Sequence, residues 1–168
     1  MIDTKKVSFE LVRVKDSYYN EYPNLKNTID EHDSYKRLRR KFLFLKLFYN
    51  GNTLLVAIRS NTTTHYKWGV VGFDIPSESR PKAAIDYRKI LIINDSSFIE
   101  PIPHYSISRT QQRIIEQNIE KIKDEINKYI DDYIKAVKKN RLKGKLTGSN
   151  SRYSDSTLVN FHKELGLI

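Results

Sequence analysis

Two nearly unbroken apolar runs, Phe42–Phe48 and Thr53–Arg59, flank the four residues Tyr49, Asn50, Gly51 and Asn52. Asn-Gly suits the two positive-φ positions of a type I′ turn, whose twist matches that of paired strands, so this spacing predicts a β-hairpin. Because both runs are continuously apolar rather than alternating, the hairpin is expected to be buried on both faces, in a small barrel or a sheet covered by helices. Trp68–Phe73, Ala83–Ile85 and Lys89–Ile93 read as further strands, with a Pro-, Ser- and charge-rich loop at Asp74–Lys82. Shorter pieces, Val7–Val14 and Phe98–Ile99, can pair as strands. The region from Asp16 to Asp33 reads as loop with a helical turn.

A different period begins at Ser108. Ser108 and Gln111 have the form of a capping box. Ile115, Ile119, Ile122, Ile126, Tyr129, Ile130, Tyr133 and Val137 then recur at steps of three and four. This predicts one amphipathic helix running to about Lys138, on the order of 40 Å long. Leu158, Val159, Phe161 and Leu165, after Asp155 and Ser156 as caps, suggest a short packing helix at the end. Strands first and helices after them define an α+β chain with a compact, twisted antiparallel sheet. At 168 residues one domain is expected, its core at about 7–138, followed by a basic linker and short terminal helix at 139–168.

Composition narrows the chemistry. Thirty Lys and Arg against twenty Asp and Glu leave a net charge of +10, which attracts polyanions, nucleic acid first among them. There is no cysteine, which excludes disulfides, thiol nucleophiles and thiolate metal sites. The first residues hold no apolar stretch with a small-residue cleavage site, and no apolar run approaches the ~20 residues of a membrane span. The expectation is a cytoplasmic protein with no membrane partner. Glycine-rich phosphate loops, HExxH and GxSxG are absent, the four histidines are dispersed, and no paired acids suit a two-metal nuclease. No cofactor is expected, and metal-free chemistry is favoured.

One segment concentrates suitable groups. Arg59-Ser-Asn-Thr-Thr-Thr-His-Tyr-Lys-Trp68 starts where a core strand ends, and brings a cation, several hydroxyls, an imidazole and a second cation together. A nuclease that uses the 2′-OH of RNA as nucleophile needs a base, a donor to the leaving oxygen and donors to the phosphoryl oxygens. The same composition also serves a plain Ser/Thr/Asn loop between strands. Tyr35-Lys-Arg-Leu-Arg-Arg-Lys41 leads into the first hairpin strand, so Tyr35, Arg37, Arg39, Arg40 and Lys41 should lie near the Arg59 end and track phosphates; the alternative is a solvated basic turn. Asn61, Thr62 and Lys89 are added to this RNA-binding set. Lys138 to Arg152 is a second acid-free basic stretch. Tyr18, Tyr19 and Tyr22 offer either stacking on unpaired bases or half-buried packing.

Val56-Ala-Ile-Arg-Ser-Asn-Thr-Thr-Thr-His65 resembles the motif of the ToxN, AbiQ and TenpN toxins of bacterial type III toxin–antitoxin systems. ToxN-like members run a strand into a Ser-Ser-Pro-Lys-x-x-His type loop, and the TenpN branch, with Arg-Ser-Asn followed by His, is more similar still. Ala84-Ile-Asp-Tyr-Arg-Lys-Ile-Leu-Ile-Ile93 and Tyr129-Ile-Asp-Asp-Tyr-Ile-Lys-Ala136 extend the resemblance over roughly residues 40–138. It implies a β-barrel-like core related to the MazF and Kid toxins, with flanking helices. It further implies metal-independent cleavage of RNA, such as mRNA, to a 2′,3′-cyclic phosphate in phage abortive infection. Inhibition would come from a small repetitive, pseudoknot-like RNA antitoxin in a cyclic or linear protein–RNA assembly. Ser60 matches the family serine and His65 its motif histidine. Where ToxN-like members carry Lys two residues after the Ser, this chain has Thr62, so Arg59, His65 or Lys67 must supply the positive charge. The candidate catalytic set is Ser60, Arg59, His65 and Lys67. A non-catalytic basic RNA-binding module is the rival reading, and an interaction protein built around the long helix a third.

Overall fold

The structure is a computed structural model that describes residues 9–29, 42–62, 70–139, 153 and 155–168. Six strands are present among them: β1 (Glu10–Val14), β2 (Leu43–Tyr49), β3 (Asn52–Arg59), β4 (Gly72–Asp74), β5 (Ala84–Ile92) and β6 (Ile99–Ile102). Helix α1 (Asp16–Glu21) follows β1, and α2 (Arg109–Lys138) follows β6. The strands form one antiparallel sheet in the order β4-β5-β3-β2-β1-β6. The β2–β3 hairpin turns as its sequence predicts, with Asn50 at φ 45° and Gly51 at φ 80°.

Register assigns the two faces. Leu45, Leu47, Leu54, Val56, Ile90 and Ile92 point to one side, because directly paired residues share a face. That side is covered by α2: Tyr49 Oη donates to Asp131 at 2.5 Å and Tyr87 Oη to Glu125 at 2.7 Å. The helix starts on the expected capping box, the Ser108 hydroxyl accepting from the Gln111 amide and the Gln111 side chain accepting from the Ser108 amide. Its buried stripe includes Ile115, Ile119, Ile122, Ile126, Tyr129, Ile130 and Tyr133, and ends on Ala136, with Val137 half-buried against the core. No helix among the described residues is long and apolar enough to cross a membrane.

The opposite face carries Phe44, Leu55, Ala57 and Leu91. Alongside Phe44 and Leu91 lie Tyr19, Thr28, Ile29 and Thr157. Residues 25–29 and the terminal segment are knitted together: Asn160 pairs with both the N–H and the carbonyl of Lys26, and Asn27 donates to the Ser156 carbonyl. The terminal segment forms a 3-10 turn, Thr157–Asn160, in place of the expected helix. Leu158 and Phe161 nevertheless reach the main core, as their spacing suggests. Tyr18 also belongs to that core, packed edge-on against Phe98, whereas Tyr22 is exposed.

The expected barrel-like core is, across the described residues, an open twisted sheet whose edges β4 and β6 do not pair with each other. Both edges are short, and β6 contains Pro101, which has no N–H to offer a further strand. The two predicted strands at 83–85 and 89–93 are one strand with an irregularity. Between the Val56–Ile90 and Ile58–Ile85 pairs β3 advances two residues and β5 five, so β5 bulges by three at Asp86–Lys89. Bulges bend a strand and re-aim its side chains. The bulge is covered by Thr157, whose hydroxyl lies in hydrogen-bond reach of the Arg88 and Ile90 carbonyls.

Candidate functional site

A cleft of about 640 Å³ opens at the end of β3. Arg59, Ser60 and Asn61 line one part of it, and Arg80, from the loop before β5, another. Phe42, Leu43, Ile58, Ile29 and Ile107 give it apolar walls, while Ser106 and Gln111 come from the start of α2 and the turn before it. Ser60 and Asn61 are exposed, as expected of residues delivered by a strand end to solvent.

Arg59 is held from below. It pairs with Ala84, so Asp86, two residues on, is its diagonal neighbour on the same face, within reach of a long side chain. Arg59 Nη1 donates to Asp86 Oδ2 at 3.1 Å, while its side chain remains 32% exposed. Asp86 is wholly buried. Its carboxylate also accepts from the Arg88 amide, from Arg88 Nε at 2.9 Å and from Arg88 Nη2 at 3.0 Å. A buried carboxylate with this many charge-assisted donors is well compensated. Burial alone would lower the pKa of Arg88, but the hydrogen bonds and charge of Asp86 outweigh it and raise the pKa above the ordinary value. The trio carries one net positive charge, and Arg59 is the member that reaches the cleft.

Other expected site residues have different surroundings. Thr62 is buried, and both its amide and its hydroxyl donate to the Lys82 carbonyl, at 2.9 and 3.1 Å. It anchors the chain leaving β3 to the loop before β5 instead of facing the cleft. Lys89 donates to the Asn27 carbonyl at 2.5 Å and the Asp155 carbonyl at 2.9 Å, and burial pushes its pKa below the ordinary lysine value. Its ammonium staples residues 25–29 to the terminal segment where the two meet over the sheet. His65 and Lys67, and the basic run with Tyr35, Arg37, Arg39, Arg40 and Lys41, lie outside the described residues, as do Arg141, Lys143, Lys145 and Arg152. Arg80 and Asp86 were not among the candidates read from the sequence. The first sits in a segment that looks like a plain connection, and the second acts through a contact 27 residues away in sequence.

Among the described residues, no three His, Cys, Asp or Glu side chains are grouped to hold a metal ion. What remains is a pocket that offers the Arg59 guanidinium, held by Asp86, with Arg80 and the Ser60 hydroxyl beside apolar walls.

No protein-family model matches the sequence, and neither does any curated protein. Among solved structures, one comes from work on bacterial type III toxin–antitoxin systems, concerned with selective toxin inhibition by a non-coding RNA pseudoknot. It aligns with a TM-score of 0.58 at 7% identity, over 94% of this chain and 98% of its own. Another, from work on a processed non-coding RNA that regulates a bacterial antiviral system, aligns with a TM-score of 0.51 at 15% identity, over 80% and 90%. The class defined is therefore a fold class: this chain has the architecture of those proteins.

Proposed function

We propose that this protein is a metal-independent endoribonuclease toxin of a type III toxin–antitoxin system with a role in antiviral defence. The observation that carries the reading is the cleft that gathers Arg59, Ser60 and Asn61 with Arg80, on a fold shared with a chain from such a system. In the proposed step the 2′-oxygen of a ribose attacks the adjacent phosphorus. The new 2′-O–P bond replaces the P–O5′ bond, giving a 2′,3′-cyclic phosphate and a free 5′-hydroxyl. Arg59 and Ser60 hold the phosphoryl oxygens, and Asn61 adds a donor at the rim. His65 or Lys67 moves the proton from the 2′-hydroxyl toward the leaving oxygen. Tyr35, Arg37, Arg39, Arg40 and Lys41 track the strand on its way into the cleft. The Arg-Ser-Asn match points to the TenpN branch, and the partner is a small repetitive, pseudoknot-like RNA that keeps the toxin inactive in a protein–RNA assembly.

A second reading, a non-catalytic RNA-binding module, is favoured by the inward, buried Thr62 at the position of the family lysine. One experiment separates the two. Purified protein is incubated with mixed single-stranded RNA in excess EDTA, and the products are tested for cyclic-phosphate ends. The proposal expects cleavage that persists without metal and falls by about 100-fold or more in Ser60→Ala, the loss seen when one transition-state donor is removed. RNA binding without cleavage by the wild type would leave the binding module standing. Activity lost on chelation and restored by Mg²⁺ would overturn the mechanism.

A further inference from the structure

We infer that Asp86 is a positioning residue: it fixes the guanidinium of Arg59 in the orientation that meets the phosphodiester. The inference rests on the proposed nuclease reading and adds to it a residue that never touches RNA.

Three observations converge. Asp86 is wholly buried, so its negative charge is no part of the surface that RNA meets. Both of its oxygens accept hydrogen bonds in a division of labour: Oδ1 takes the amide and Nε of Arg88, while Oδ2 takes Nη2 of Arg88 and Nη1 of Arg59. Arg88 thereby locks the carboxylate from its own strand, and the remaining contact is directed at the cleft residue. The backbone is also shaped for this. Ala84, the small residue directly opposite Arg59, leaves the diagonal path to Asp86 clear, and Arg88, two residues on from Asp86 within the bulge, closes on the same carboxylate. The Thr157 hydroxyl secures the bulge from outside.

An arginine at a strand end has several rotatable bonds, and an unheld one would spend much of its time in unproductive rotamers. Holding one guanidinium nitrogen on a locked carboxylate leaves the other N–H groups aimed in a fixed direction. A misplacement of about 1 Å in such a group can cost up to about 100-fold in rate. Asp86→Asn keeps the shape but removes the charge, and turns one acceptor into a donor facing the Arg88 guanidinium and, at the Oδ2 position, that of Arg59 as well.

The test is a double-mutant cycle on single-turnover RNA cleavage at saturating RNA with the full chain. Asp86→Asn should lower the rate about 10- to 100-fold with RNA affinity changed less than about threefold, and Arg59→Ala should lower it at least as much. Asp86→Asn added to Arg59→Ala should then cost nothing further. Independent, multiplying losses would make Asp86 a general structural residue and overturn the inference. Because Asp86→Asn weakens the pairing of two half-buried arginines and can perturb the fold, a second measurement uses the wild-type protein. Arg59 Nη resonances, assigned by their absence in Arg59→Ala, should show hindered rotation about Cζ–Nη in the RNA-free protein. A single averaged Nη signal would overturn the inference. If the wild type does not cleave RNA at all, the nuclease reading fails, whereas the Nη signals still report whether Asp86 holds Arg59.

Discussion

Thr157 joins the terminal segment to the bulge that carries Asp86 through its hydroxyl, beside the contact of Lys89 with the Asp155 carbonyl. Thr157 is 1% exposed, and its Oγ1 meets the carbonyls of Ile90 and, at 3.2 Å, of Arg88. Thr157→Val keeps the volume, so no cavity forms and the transfer of a methyl in place of a hydroxyl slightly favours burial. The cost comes from the carbonyls. A buried acceptor that loses its donor is charged its desolvation, about 1–3 kcal/mol. A methyl group pressed against two carbonyl oxygens at that spacing adds repulsion, which places the expected loss near 2 kcal/mol. For a chain of 168 residues each kcal/mol lowers Tm by about 2–4 °C, so the variant should melt about 4–8 °C below the wild type. Thr157→Ser is the control, because it keeps the hydroxyl and gives up only a methyl. Thermal unfolding followed by circular dichroism reads both. A valine variant that melts no lower than the serine variant would refute the role given to the hydroxyl.

The remaining expectations concern charge. Burial depresses the pKa of Lys89 below its ordinary 10.5, so the unfolded chain binds that proton more tightly than the folded one. Stability should therefore rise with pH through the window that ends near 10.5, and Lys89→Met should flatten that rise; parallel urea midpoints for the two proteins across about pH 8 to 10 would refute it. RNA affinity should fall with salt on a log–log slope near −4 if about six phosphates of a single strand are contacted, at ~0.7 per contact. Neutralising Arg37, Arg39 and Arg40 together should flatten that slope by about two units in filter binding to a non-cleavable RNA, while Ser60→Ala leaves it nearly unchanged. A wild-type slope in the triple variant would make the run before β2 a solvated surface.

Much of the fold was legible because its signals are local. Asn50-Gly51 fixes the hairpin turn, and Ser108 with Gln111 fixes the start of α2, each within four residues. The helical stripe follows its predicted spacing, with Ala136 joining it at the last turn and Val137 packed half-buried against the core. Sheet closure is not local. Whether edges meet depends on strand length and on Pro101, and the apolar runs of β2 and β3 read alike in a barrel and in a sheet packed on both faces. The bulge in β5 had a trace in sequence, the polar Asp86-Tyr-Arg-Lys89 between apolar segments. The same break also fits two separate strands, and only the pairing with β3 distinguishes them.

The site shows the same division more sharply. Arg59, Ser60 and Asn61 were legible because a strand end after a confident hairpin must deliver its next residues to the surface. What each neighbouring polar residue does could not be read from its type. Thr62 differs from Asn61 by one position, yet the chain turns it inward to the Lys82 carbonyl. Lys89 counts toward the basic surplus as fully as Arg59 does, but its ammonium is bound by two backbone carbonyls on the covered face of the sheet. Arg88 is likewise directed at a buried carboxylate. Of the three cations on β3 and β5, then, Arg59 alone lines the cleft, and Arg80 lines it from a loop that carries no motif. Net charge thus predicts a polyanion as partner without identifying which cations meet it. Among the cations of β3 and β5, register leaves the Arg59 guanidinium at the cleft, while Arg88 and Lys89 are directed at a buried carboxylate and at backbone carbonyls.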